Sequence, residues 1–192
     1  NHDNKTSILD CSIRDGGFVN KWQFTIDEVK KRLKVASDIG ISYFEIGYLK
    51  DAEYNNEDEG IWRQINKYYD IVTNMIKDVN PTCKTSAMID SCEFTITDLL
   101  PRDKTLIDMI RICTTKSNII NSLDLCKKVK NMKYEVSLNI IYCSQLTDLD
   151  INNMINIIKK DFLINGNYLD YICFADSIGA IGTIHIKKLI NI

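Results

Sequence analysis

Short apolar runs alternate along this chain with longer stretches whose apolar residues recur at helical spacing. Ser7-Ile8-Leu9-Asp10-Cys11-Ser12 reads as a first strand, and Arg14-Asp15-Gly16-Gly17 breaks the pattern, predicting a loop at its C-terminal end. Thr25-x-x-Glu28 has the form of a capping box, and Ile26, Val29, Leu33, Ala36 and Ile39 then fall on one helical face, closed by Gly40. Tyr43 to Tyr48 predicts a second strand. Acidic Glu57, Asp58 and Glu59 suit a helix start, and Ile61, Ile65, Tyr68, Val72, Met75 and Val79 predict one long helix that Pro81 stops. Cys83 to Ile89 predicts a third strand and Thr95 to Leu100 a short helical piece. Ile107 to Cys113 predicts a fourth strand, and Ile119, Leu123, Cys126 and Val129 a helix. Tyr134 to Tyr142 is a fifth strand. Ile151, Met154, Ile155, Ile158 and Phe162 are helical, Leu169 to Ala175 is a sixth strand, and Thr183 begins another helix.

The order is therefore strand, helix, strand, helix, with strands about 25 to 40 residues apart, the length of a βα unit. The strands read as near-continuous apolar runs, which predicts a parallel sheet covered on both faces. A doubly wound sheet and a (β/α)8 barrel share that signature. No G-x-G-x-x-G follows the first strand, which disfavours the dinucleotide-binding fold. The expectation is an α/β chain with a polar tail over 1–6 and a single partial barrel of about six βα units over 7–192.

Composition narrows the function classes. The 192 residues are 45% hydrophobic and 26% charged, as in ordinary globular domains. A net charge of −2 offers no electrostatic case for nucleic acid or an anionic membrane. No apolar stretch approaches a membrane span and the start carries no signal peptide. The seven cysteines form no C-x-x-C pair, and their odd number argues against a disulfide framework. A reduced, cytoplasmic chain is the expectation.

The chemistry concentrates at Arg14 and Asp15. On spacing alone an adjacent Arg–Asp in a loop is either an ion pair or an active-site pair. The segment Leu9-Asp10-Cys11-Ser12-Ile13-Arg14-Asp15-Gly16-Gly17 resembles the D-x-T-L-R-D-G signature of the DRE-type TIM-barrel metallolyases, the superfamily of 3-hydroxy-3-methylglutaryl-CoA lyase, with Ser12 and Ile13 in place of Thr and Leu. Tyr43 to Tyr48, Ile107 to Ile112, Glu135 to Ile141 and Ala175-Asp176-Ser177-Ile178-Gly179 resemble that family's second, fourth, fifth and sixth strand regions, in order. The Arg-Asp-Gly-Gly start is most similar to bacterial aldolase-domain proteins like 4-hydroxy-2-oxovalerate aldolase.

The resemblance implies a lyase that makes or breaks a carbon–carbon bond next to a 2-oxo acid through a pyruvate enolate. It implies Arg14 and Asp15 as catalytic residues and Asp15 as ligand to Mn²⁺ or Mg²⁺. In the family the remaining two ligands are a His-x-His after a seventh strand, and an acid/base His follows the Arg-Asp-Gly. This sequence has His2 and His185 only, and Phe18-Val19-Asn20-Lys21-Trp22 holds no His. The departure keeps open a catalytically incomplete barrel that binds a metabolite or serves in assembly, as a homo-oligomer or with a complementing chain across its open edges.

Charged residues inside apolar strands need partners or a polar mouth. Glu45 therefore either lines the site or forms a buried salt bridge to Arg14 or Arg111, and Arg111 points inward to a carboxylate. Asn139 either bonds substrate or ties neighbouring strands, and Asp176 either orients a ligand or caps the next helix. Together with Glu45 and Arg111 they make up the expected substrate-binding set. Trp22, Trp62 and the Tyr68–Tyr69 pair are read as packing. Cys11, with no His nearby in sequence, is read as a structural thiol.

Overall fold

The structure, a computed structural model, describes residues 6–91 and 94–190, without the side chains of 184, 185, 188 and 190. His2, Cys92 and most of the predicted polar tail lie outside the described residues, as does the His185 side chain. Six strands form one sheet: β1 (Leu9–Asp10), β2 (Tyr43–Leu49), β3 (Lys84–Asp90), β4 (Met109–Thr114), β5 (Glu135–Ile140) and β6 (Tyr171–Phe174). Their spatial order is their sequence order, and every pair is parallel. A doubly wound sheet must reverse direction at a switch point. This sheet never does, so the ambiguity left by the βα pattern resolves to an incomplete TIM barrel. Among the described residues, β1 pairs only with β2 and β6 only with β5.

The sheet curls. Tyr43 at the start of β2 donates to Glu135 Oε2 of β5 at 2.7 Å, and its hydroxyl meets that of Tyr171 of β6 at 2.9 Å. Lys84 of β3 pairs with the same Glu135. Strands three and four places apart touch across the concave face, as barrel curvature requires.

The helices α1 (Ser12–Asn20), α2 (Ile26–Asp38), α3 (Tyr69–Val79), α4 (Ile119–Asn131), α5 (Asp148–Asn165) and α6 (Thr183–Ile190) follow the strands. Complete capping boxes start two of them: Thr25 with Glu28 at α2, and Thr147 with Asp150 at α5. Outward strand residues Phe44, Ile46, Ala87, Ile89, Ile110, Ile112, Val136, Leu138 and Ile140 are buried in the shared core with Val29, Leu33, Val72, Leu123, Cys126 and Val129 of the helices.

Three expectations are corrected. The Arg14–Gly17 segment is not a loop. It lies within α1, which begins directly after β1, where the Ser12 amide donates to Asp10 Oδ1 at 2.8 Å and the Asp15 amide to the Cys11 carbonyl at 2.8 Å. The long helix from Ile61 is broken into two 3₁₀ turns, Ile61–Arg63 and Ile65–Tyr68, before α3. The fully buried Trp62 donates its indole N–H to the Phe24 carbonyl at 2.8 Å, and this anchor fixes the first turn against the α1–α2 connection. The strands are not apolar on both faces. Their inward line on β3, β4 and β5 holds Lys84, Ser86, Met88, Asp90, Arg111, Cys113, Glu135, Ser137 and Asn139, a largely polar concave surface.

Candidate active site

The C-terminal strand ends enclose a cavity of about 510 Å³ lined by residues of all five longer strand regions and of α1. Arg14 and Asp15 reach it from the first turns of α1. Two features hold that helix in place. At its C-terminal end Lys21 and Trp22 both adopt positive φ, 56° each, which non-glycine residues rarely do. That conformation turns Trp22 back under the helix, where its indole N–H donates to the Arg14 carbonyl at 2.8 Å. Gly17 is required by the same ring: a Cβ there would stand 2.1 Å from the indole. Gly60 is required by its backbone, since a Cβ would stand 1.9 Å from the Trp22 carbonyl oxygen. The Arg63 guanidinium then stacks over the Trp22 ring at 4.3 Å and the Tyr48 ring at 4.4 Å.

The side chain of Arg14 is fixed from below. Its Nε donates to Glu45 Oε1 at 2.5 Å, and its terminal NH1 donates to Asp15 Oδ1 at 2.8 Å. Glu45 is fully buried, and its other oxygen accepts from the Arg111 NH1 at 2.8 Å. The Arg111 NH2 donates to Asn139 Oδ1 at 3.0 Å. Of the alternatives for Glu45 the structure shows the salt bridge, made to both arginines at once: a single carboxylate bridges the two guanidiniums beneath the cavity. Burial alone opposes charge on Arg14, but Glu45 beside it outweighs that and holds the guanidinium protonated beyond its usual range. The same balance, burial against Glu45, raises Arg111.

The six residues singled out in the sequence divide by depth. Arg14, Asp15, Asn139 and Asp176 line the cavity, whereas Glu45 and Arg111 lie beneath it. Asp15 is at the rim, its side chain 67% exposed. Asn139 both faces the cavity and ties β5 to β4 through Arg111. Asp176 accepts from the Ala180 and Ile181 amides, at 2.9 Å each, and these bonds depress its pKa. It braces the turn before α6 and does not cap the helix itself.

Sequence reasoning missed Tyr48, Asp90, Phe18, Tyr142 and Arg63. Tyr48 faces the cavity because the β2–β3 register slips between Glu45 and Gly47, which puts Tyr48 opposite Met88. Burial raises the Tyr48 hydroxyl pKa, with Arg14 opposing. Asp90 is the last residue of β3 on the inward line and was legible from alternation alone. Arg63 had no signal, since only long-range packing brings it to Trp22. Cys11 is half-buried, and burial raises its thiol pKa despite Arg14, which is the state of a structural thiol.

The carboxylates do not assemble into an ion cage. Among the described residues no group of three His, Cys, Asp or Glu side chains is placed to hold a metal ion. Asp15 offers one carboxylate, already bonded by Arg14, so the donors present do not by themselves fit a divalent cation. No helix of the described residues is long and apolar enough to cross a membrane.

No protein-family model and no curated protein sequence matches the chain. Among solved structures, the N-terminal domain of a "putative aldolase" from Bacteroides vulgatus is similar over 97% of this chain, with a TM-score of 0.76 and 27% identity. This chain spans 59% of that one. A GH113 beta-1,4-mannanase matches 78% of this chain and 50% of its own at a TM-score of 0.50 and 10% identity, a likeness of fold alone. The chain therefore has an aldolase-like, incomplete TIM-barrel fold, with its cavity at the barrel end where enzymes of this architecture work.

Proposed function

We propose that this chain carries the substrate-binding floor of an aldolase-type lyase acting on a 2-oxo acid. The observation that carries the reading is the Arg111–Glu45–Arg14 chain, which presents a rigid, permanently charged guanidinium low in the cavity, bonded to Asp15 at its rim. In such a cleavage the bond between C3 and C4 of a 4-hydroxy-2-oxo acid breaks. Its electron pair moves onto the C2 oxygen as an enolate, the C4 hydroxyl gives up its proton to leave an aldehyde, and C3 takes up a proton to give pyruvate. Negative charge grows on oxygen, and a preorganised cation in a partly dry site lowers that barrier. Arg14 has the planar fork for a carboxylate or enolate oxygen, and Asn139 adds an amide to the lining of the same cavity. Asp15 would offer one carboxylate to Mn²⁺ or Mg²⁺ there.

The test is pyruvate release from several 4-hydroxy-2-oxo acids, with Mn²⁺ present, by the full-length gene product. Arg14→Lys should lower kcat/KM by about 100-fold, the cost of losing one oxyanion donor. Absence of release from every substrate would refute the reading.

A second reading is favoured by the absence of a three-ligand group and by the unpaired edges of β1 and β6 among the described residues. Here the chain binds a metabolite or a partner chain without turnover. It predicts no change in melting temperature with Mn²⁺ and self-association or complementation by light scattering. A clear rise with Mn²⁺ in a strictly monomeric protein would refute it.

A further inference from the structure

The cavity has a polar, buried floor and an aromatic mouth. At the floor, Asp90, Cys113 and Asn139 sit side by side in the β3–β4–β5 register, next to the paired guanidinium of Arg14. At the mouth stand Phe18 and Tyr142, 62% and 43% exposed. Phe18 is on α1, which packs against β2, and Tyr142 comes just after β5, three strands away. The Phe18 ring is set edge-on against Trp22 at 4.8 Å and Tyr48 at 6.2 Å. Tyr142 is held in the left-handed region, φ 55° and ψ 35°, which an aromatic residue avoids. Its amide donates to Ser177 Oγ at 3.0 Å, and the following Cys143 amide donates to the Ala175 carbonyl at 3.1 Å. The loop after β6 thus keeps Tyr142 at the rim in an unfavourable conformation. Strain of this kind concentrates where it places a side chain for binding.

We propose that this mouth is a subsite for an apolar, above all aromatic, substituent on the carbon next to the 2-oxo group. The inference rests on the reading that the site takes a 2-oxo acid. A carboxylate gains most from the guanidinium where water is excluded, at the floor. The rest of the molecule then extends outward, and the group beyond C3 arrives between Phe18 and Tyr142. A volume of about 510 Å³ falls in the range of pockets that enclose ligands far larger than a three-carbon acid. Tyr48, Ile141 and Ala175 also line the cavity and add apolar surface to it.

The experiment is titration calorimetry of the protein with pyruvate and with phenylpyruvate, which carries its ring on C3. Phenylpyruvate should bind at least about tenfold more tightly, and Phe18→Ala and Tyr142→Ala should each remove about three- to tenfold of that preference while leaving pyruvate unchanged. Arg14→Lys should weaken both acids alike. Both aromatic side chains reach the surface, and circular dichroism of each variant checks that the fold is kept; Phe18→Leu serves as a second, conservative check with an intermediate loss. Equal affinities, or a preference that survives both alanine variants, overturn the subsite and leave the 2-oxo acid reading standing. Binding of neither acid overturns both.

Discussion

Glu45→Gln removes one charge and almost no volume, and it acts at the point where the site and the fold share a residue. The carboxylate is fully buried between two guanidiniums, 2.5 Å from Arg14 and 2.8 Å from Arg111. The side chains of those arginines are only 12% and 9% exposed. After substitution the two cations face a neutral amide, with Asp15 and Asn139 as their other partners. Leaving a buried charge uncompensated costs about 3–5 kcal/mol. The lower end applies, because Arg14 borders the open cavity and keeps Asp15. For a chain of this size about 3 kcal/mol corresponds to a fall of roughly 6–12 °C in melting temperature.

Urea unfolding followed by circular dichroism gives the free energy directly, with the m-value required to stay constant. In an Arg111→Met background the same substitution should cost less, because one of the two stranded cations is already gone. The coupling should be about 1–3 kcal/mol. A loss below about 1 kcal/mol in the single variant would show that water reaches the triad, and the claim that Glu45 fixes Arg14 would go with it.

Trp22→Phe keeps a ring against Gly17 and Arg63 but deletes the N–H bonded to the Arg14 carbonyl. It should cost about 1 kcal/mol of stability and lower kcat of the proposed lyase more than it raises KM, while an unchanged kcat would confine Trp22 to packing. Tyr43→Phe removes the hydroxyl shared by Glu135 and Tyr171 at the opposite end of the strands. It should cost about 1.5–3 kcal/mol by urea titration and leave 2-oxo acid binding untouched, since that end of a barrel serves stability. Burial pushes the Cys126 thiol up to about 12 and the Cys113 thiol up to about 11. Unfolded thiols titrate near about 8.5, so their contribution to stability is fully present below that pH and is lost as pH rises toward the folded values. Alkylation at pH 8 read by mass spectrometry should therefore spare both in the native protein and modify both in urea. Native modification at the rate of an exposed thiol would contradict this.

The βα rhythm was legible because each element carries its own period, but what joins the elements was legible only where it was local. The capping boxes at Thr25 and Thr147 are four-residue patterns, and the one at Thr25 is plain in the sequence. The polar concave face was also present in the letters: Lys84, Ser86, Met88 and Asp90 alternate with Thr85, Ala87 and Ile89. It was obscured because the outward residues are so apolar that the run looks continuous. On β2 alternation fails outright. The slip between Glu45 and Gly47 changes the phase, so Tyr48 faces inward where strict period two selects Gly47. The helix that replaced the expected loop after β1 shows the opposite limit. Two glycines in succession read as a turn, yet here one of them makes room for an indole five residues on, a demand set by tertiary packing. Glu45 sums up the boundary. A lone carboxylate in an apolar strand announces an interior partner, and its choice between Arg14 and Arg111 is set by curvature. In a flat sheet β3 lies between β2 and β4 and holds Glu45 and Arg111 two strand spacings apart, roughly 9.5 Å. In this curled one Arg111 and Arg14 both converge on it, so a pair expected from the sequence becomes the bridge that aims Arg14 at the cavity.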